Sequence, residues 1–114
     1  MTDCLFCKIA AGEIPSDQVH ADQEFVAFRD IDPQAPVHVL VIPRRHIASL
    51  NDLSAPDADL VGRLQVTAAR VATQLGIAEA GYRFVINCGA HGCQSVPHLH
   101  LHLLGGRQLG WPPG

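Results

Sequence analysis

The sequence is short of lysine, with Lys8 alone, and it carries no basic run; its formal net charge is −3. Nucleic-acid binders draw most of their affinity from neutralising phosphates with Lys and Arg, so no nucleic acid is expected as partner. No apolar stretch approaches the ~20 residues that span a bilayer, and Met1-Thr2-Asp3-Cys4 is no signal peptide. No membrane partner is therefore expected, and the cytosol is the expected location. Internal repeats, low-complexity stretches and a GxxxxGK[ST] phosphate loop are all lacking. Cysteine is limited to Cys4, Cys7, Cys88 and Cys93. In a chain without a secretion signal, reduced thiols or a metal site are the expected states rather than disulfides.

With 114 residues, 47% apolar and 17% charged, residues 1–114 read as one domain. A chain of this size buries roughly two-thirds of its unfolded surface, enough for an independent core. Asp3 can cap a short helix over residues 4–11, ended by Gly12 and Pro15. Residues 19–21 and 25–28 read as short strands, and the β-branched run 38–42, stopped by Pro43, as a third. Ser54-Ala55-Pro56-Asp57 resembles a capping box. Leu60, Val61, Leu64, Ala68, Val71, Ala72 and Leu75 then recur at helical spacing, with Gly76 at the C′ position. Strands are expected over 82–87 and 98–104, and irregular structure over 88–97 and 105–114. One long helix over an antiparallel sheet is an α+β domain.

Seven histidines stand out, three of them in His98-Leu99-His100-Leu101-His102-Leu103. Side chains alternate across a strand, so the three imidazoles share one face and the three leucines the other. A slip of one residue would exchange the faces, which makes the register well determined. Imidazoles roughly 6.5–7 Å apart can address successive atoms of one substrate. Three readings stand side by side: satisfied core histidines, a zinc site using two of the three, and phosphoryl chemistry with one histidine as nucleophile. The preceding loop, Gly89-Ala90-His91-Gly92-Cys93-Gln94-Ser95, favours the last. Its N–H groups can form an anion nest, and Gln94 and Ser95 add neutral donors. Loop and strand offer no Lys or Arg before Arg107, which suits one phosphoryl group better than a triphosphate held through magnesium. No magnesium requirement is expected. Cys4-x-x-Cys7 on one helical turn can supply half a zinc site, though reduced thiols explain it nearly as well.

The block Gly92-Cys93-Gln94-Ser95-Val96-Pro97-His98-Leu99-His100-Leu101-His102-Leu103-Leu104-Gly105-Gly106-Arg107-Gln108 resembles the histidine triad (HIT) family. Together with the closing Trp111-Pro112-Pro113-Gly114 it is similar to that family's nucleoside phosphoramidase branch. Leu5-Phe6-Cys7-Lys8-Ile9, Asp30-Ile31, Pro33-Gln34-Ala35-Pro36 and His46-Ile47 fit as well, so the resemblance spans essentially the whole chain. It implies a roughly five-stranded antiparallel sheet with one long and one short N-terminal helix, in a homodimer with residues 105–114 at the interface. It also implies a hydrolase that cleaves the P–N bond of purine nucleoside phosphoramidates through a nucleotidyl-histidine. His100 would be the nucleophile, its second nitrogen held by the main-chain carbonyl of His98, with His38 in support. His102, Asn87 and the loop, including Cys93 and Gln94, would stabilise phosphoryl charge, and Ser95 would assist the leaving amine. Asp30 would accept the ribose hydroxyls, Leu5, Phe6, Phe28 and Ile31 would line the base, and Trp111 would lie near the partner's site. In members that keep the cysteine pair, zinc is completed by the residues matching His46 and His98, a closed set that makes the metal structural.

Two positions depart from the family pattern. Cys93 stands where relatives commonly have glycine. If that position needs φ > 0, a side chain costs about 1–2 kcal/mol; alternatively, the thiol makes the protein oxidation-sensitive. Gly110 replaces a larger polar residue, which bears on the leaving group. The rival readings are a dinucleoside polyphosphate hydrolase or nucleotidyl transferase of the same superfamily, a zinc-containing module that binds nucleotide without turnover, and a catalytic zinc hydrolase.

Overall fold

The computed structural model describes residues 3–114. The expectation of no signal peptide rests partly on Met1 and Thr2 and so lies outside the described residues. Five strands, β1 (Gln18–Ala21), β2 (Phe25–Arg29), β3 (Val37–Pro43), β4 (Tyr82–Val85) and β5 (Leu101–Gly105), form one antiparallel sheet in the order β1-β2-β3-β5-β4. Helix α1 (Leu5–Ala10) and the long helix α2 (Ala58–Gln74) complete it. The α+β expectation of a five-stranded sheet with one long and one short helix matches this architecture.

Alternation along the strands decides which helix packs where. Phe25 and Ala27 of β2, Val39 and Val41 of β3, and Leu101 and Leu103 of β5 form one buried cluster with Leu64, Ala68, Val71 and Ala72 of α2. The intervening residues Val26, Phe28, Leu40 and Ile42 pack with Phe6 and Ile9 of α1 on the opposite face. Burial of these side chains contributes on the order of 1.5–3 kcal/mol each for the larger ones. The face carrying α1 also carries His38 and His102, so α2 anchors the sheet from behind while the histidines face α1.

Both helix ends follow local chemistry. Ser54 donates its N–H (2.9 Å) and hydroxyl (3.1 Å) to Asp57 Oδ2. These contacts and Arg45 hold the Asp57 carboxyl below the usual range, its hydrogen bonds to Ser54 contributing most. The box opens a 3-10 turn (Ala55–Asp57) that runs into α2. At the other end Gly76 sits at φ +78, Gly76 N–H donates to the Thr73 carbonyl, and Ile77 N–H to the Ala72 carbonyl. This is a complete Schellman stop.

Most element ends differ from the sequence reading by one residue, and the start of α1, the end of β4 and the start of β5 differ for a physical reason. α1 is capped by Cys4, whose Sγ accepts from Cys7 N–H at 3.3 Å, rather than by Asp3. β4 ends at Val85, because Ile86 and Asn87 leave β5 to enter the loop. β5 begins at Leu101 rather than His98: Leu99 N–H donates instead to the Ile47 carbonyl at 2.6 Å. Alternation nevertheless continues through the unpaired stretch, with Leu99 buried in the α2 cluster and His98 and His100 buried away from it.

Candidate active site

His100 and His102 line a cavity of about 630 Å3 on the α1 face, together with Phe6, Phe28, Asp30 and Ser95. Leu5 and Ile31 lie at the same cavity, 44% and 101% exposed, so they stand at its mouth rather than in a closed wall. Phe6 sets the depth: its ring meets those of Phe28 and His100 edge-on, at centroid distances of 5.5 and 5.1 Å.

Hydrogen bonds assign a tautomer to each imidazole. His100 Nδ1 lies 2.7 Å from the His98 carbonyl, which can only accept, so the proton is on Nδ1 and neutral His100 keeps a lone pair on Nε2. Gln34 N–H donates to His38 Nδ1 at 3.0 Å, so His38 carries its proton on Nε2. That proton faces His102 Nδ1 at 2.9 Å, which leaves His102 with Nε2–H. His100 therefore ends in a nucleophilic nitrogen and His102 in a donor. Burial, with the neighbouring His100 and His38, pushes His102 down to about 4, and burial also lowers His38. Both are neutral at pH 7. Asp30 Oδ2 stands 3.5 Å from His38 Nε2, and Asp30 Oδ1 accepts from Asp32 N–H at 2.8 Å.

A second cluster lies behind the first. Cys4 Sγ, Cys7 Sγ, His46 Nδ1 and His98 Nδ1 all fall within 4.8 Å of one another. Cys4 and Cys7 approach His98 Nδ1 at 3.3 and 3.5 Å, Cys7 approaches His46 Nδ1 at 3.3 Å, and the two imidazole nitrogens are 3.2 Å apart. Four donors around a tetrahedral ion, with metal–S near 2.3 Å and metal–N near 2.0 Å, would stand roughly 3.3–3.8 Å from one another. His98 Nε2 donates to the Pro43 carbonyl at 2.8 Å, which fixes Nδ1 as the unprotonated, ligating nitrogen. The donor set fits a metal ion. Asp30, His38 and His102 also converge within 4.8 Å, but they fit one poorly. A metal on His38 Nε2 would move the proton to Nδ1, against the Gln34 N–H.

Other residues singled out from the sequence lie elsewhere. Asn87 Nδ2 donates to the Gly92 carbonyl at 2.7 Å, and Gln94 Nε2 to the carbonyls of Ala48 and Val96 at 2.8 and 3.0 Å. Asn87 braces the loop, Gln94 ties it to the segment after β3, and neither residue lines the cavity. Cys93, exposed, takes φ +64 at the loop's tip. Trp111 is 82% exposed beside the Arg83 guanidinium, away from this chain's cavity. Sequence reasoning missed Ser16, which lines the cavity, and the main-chain groups of Gln34 and Pro43 that orient His38 and His98. Main-chain contacts leave no residue-type signal, and a lone serine leaves little.

The HIT domain model matches residues 11–109. The chain is 52% identical over 108 residues to the purine nucleoside phosphoramidase of Escherichia coli K12, covering 95% of this chain and 91% of that protein. It is 52% identical over 114 residues to the 14 kDa zinc-binding protein of Brassica juncea, covering 98% and 100%. A HIT family hydrolase from Legionella pneumophila superposes with TM-score 0.97 at 53% identity, over 98% of this chain and 100% of that one. Cavity, histidines and matches over nearly the full length agree, and the chain belongs to the HIT domain family.

Proposed function

We propose that the protein hydrolyses the P–N bond of purine nucleoside 5′-phosphoramidates through a nucleotidyl-histidine at His100. The observation that carries this reading is the bond from His100 Nδ1 to the His98 carbonyl, which leaves Nε2 as the lone pair. In the first half-reaction Nε2 attacks the α-phosphorus, the P–N bond breaks, and the amine leaves with a proton. In the second, water attacks the phosphorus, the P–His bond breaks, nucleoside monophosphate is released with His100 neutral again, and the proton that water loses replaces the one the amine took. His102 Nε2–H donates to a non-bridging oxygen as charge builds there, an interaction worth more in a site shielded from water. Ser95 lies at the same cavity and supplies the proton path to the leaving amine. Asp30 receives the ribose hydroxyls, with Leu5, Phe6, Phe28 and Ile31 around the base. Asn87, Gln94 and Cys93 act through the loop they shape, which runs directly into the histidine segment. The E. coli relative's purine nucleoside phosphoramidase activity supports this reading. No step needs magnesium.

Cys4, Cys7, His46 and His98 would hold zinc, and the zinc-binding name of the Brassica relative supports that assignment. When bound, the ion supplies a cross-link between α1, the segment after β3 and the histidine segment. A reducing cytosolic setting keeps such a thiolate site intact. β4 lies at an edge of the sheet, flanked by exposed Tyr82 and Trp111, and a homodimer across this edge and α2 is part of the proposal.

The test is intact-protein mass spectrometry after brief mixing with an adenosine phosphoramidate, comparing wild type with His100→Ala. A transient gain of one AMP in wild type alone, with AMP released, supports the reading. Undiminished turnover in His100→Ala would overturn it.

A further inference from the structure

Ser16 Oγ is the one buried side-chain nitrogen or oxygen among the described residues with no hydrogen-bond partner. It belongs to a residue that lines the cavity holding His100 and Asp30. A hydroxyl removed from water and left unpaired destabilises the free protein, and alanine at this position would relieve that cost. The charged side chains that line the same cavity, Asp17, Arg29 and Asp30, have other partners. Arg29 and Asp17 face each other at 3.6 Å, and the Asp30 carboxylate meets Asp32 N–H and His38.

Position within the ladder indicates what the hydroxyl is for. Arg29 N–H donates to the Asp17 carbonyl at 2.9 Å, which extends the β1–β2 pairing by one residue. The same register continued by one residue would set Ser16 opposite Asp30, and both line the same cavity. A ribose held at Asp30 would set its base against Leu5, Phe6, Phe28 and Ile31, which line the same cavity as Ile14 and Ser16. Those apolar walls offer nothing to the polar edge of a base. A serine hydroxyl both donates and accepts, and a turn about χ1 between staggered wells presents it to a ring nitrogen or exocyclic group.

We propose that Ser16 is a specificity-determining residue that hydrogen-bonds the edge of a purine base, resting on the nucleotide reading above. The hydroxyl stays unpaired in the free protein and is paired by the bound base, so its free-energy return comes on binding. A fused purine projects further from the ribose than a single-ring pyrimidine, so purine nucleotides gain most from it.

The experiment is calorimetric titration of wild type, Ser16→Ala and Ser16→Thr with AMP, CMP, 2′-deoxy-AMP and the 1-, 3- and 7-deaza analogues of AMP, with Tm recorded for each protein. Ser16→Ala is expected to lose five- to tenfold in AMP affinity and less than twofold for CMP, with Tm unchanged or raised. Ser16→Thr should restore AMP binding, and one deaza analogue should bind wild type and Ser16→Ala equally. Equal losses for AMP and CMP, a loss confined to the 2′-hydroxyl comparison, or no loss for AMP would each overturn the assignment. A fall in Tm that accounts for the affinity loss would overturn it in favour of a structural role. Failure of wild type to bind any of these nucleotides would instead overturn the nucleotide reading itself.

Discussion

The carbonyl of His98 accepts from His100 Nδ1 at 2.7 Å, while the His98 ring stands 3.3 Å from Cys4 Sγ and 3.2 Å from His46 Nδ1. One residue thus belongs to two sites, its side chain to the thiol–imidazole cluster and its main chain to the candidate nucleophile. The ring is fully buried and tied to the Pro43 carbonyl at 2.8 Å, a bond that does not depend on any ion.

That division predicts how metal removal acts. Chelation should destabilise the fold strongly, because it removes the link between Cys4, Cys7, His46 and His98, and because burial and the adjacent Cys4 push the Cys7 thiol up to about 11, leaving it a neutral thiol packed against imidazoles. A fall in Tm of at least ~10 °C is expected, corresponding to roughly 2 kcal/mol or more in a domain of this size. Turnover by the fraction still folded should stay within about tenfold, since the Pro43 bond keeps the His98 carbonyl in place. Calorimetry and single-turnover rates on the same chelated sample test both statements. A fully folded apo protein without activity would contradict them.

His38 is a positioning residue in this arrangement, so its loss should appear in kcat before KM. With His38→Ala, His102 Nδ1 loses its 2.9 Å donor, and the proton of His102 divides between the two ring nitrogens. A fall in kcat of roughly 10–100-fold is expected, comparable to losing the partner that orients a functional imidazole. Nitrogen NMR of the His102 ring should show one tautomer in wild type and a mixture in the variant. Unaltered His102 shifts would show that the Gln34–His38 chain does not set the tautomer.

The same burial makes stability depend on pH. His102 is held near 4 and His38 is lowered in the same direction, whereas both titrate near 6.5 in the unfolded chain. Below pH 6.5 the unfolded state therefore binds more protons than the folded state, and stability falls as pH falls towards about 4. The His102 contribution is on the order of 3 kcal/mol across that window and is fully present above pH 6.5. Urea denaturation at pH 7, 6, 5 and 4.5 should show the decline. His38→Gln with His102→Gln should flatten it, leaving only the part due to the cysteine–histidine cluster.

Much of this was legible in the sequence, and the pattern of what was not has a physical reason. Leu99, Leu101 and Leu103 against His98, His100 and His102 set the faces, because alternation depends on backbone direction alone and survives where the ladder stops short of His100. Ser54-Ala55-Pro56-Asp57 and Gly76 marked the ends of α2, because caps are local chemistry. Asn87 and Gln94 read as phosphate donors, yet their amides go to the Gly92, Ala48 and Val96 carbonyls, and a sequence carries no record of which acceptor a side chain meets. The cap of α1 went to Cys4 rather than Asp3 because the same sulfur faces His98, so a tertiary contact and a local one coincide.

Adjacent residues in the loop should respond in opposite directions to substitution. Cys93 holds φ +64, a left-handed conformation that costs an L side chain about 1–2 kcal/mol, while glycine adopts it freely at some cost in unfolded-state entropy. Cys93→Gly should raise stability by roughly 0.5–1 kcal/mol, a few degrees in Tm, with turnover unchanged or improved. Gly92 has no such freedom: a Cβ there would collide with the Cys88 carbonyl oxygen and stand 2.8 Å from its nitrogen. Because both contacts are main chain, the turn itself would have to move. Gly92→Ala should therefore break the 2.7 Å bond from Asn87 to the Gly92 carbonyl and cost tenfold or more in kcat, while α2 and the sheet stay intact by circular dichroism. If Gly92→Ala keeps full activity, the loop adapts its shape to the phosphoryl group instead of presenting a preformed one. The Cys93 strain would then be incidental to catalysis.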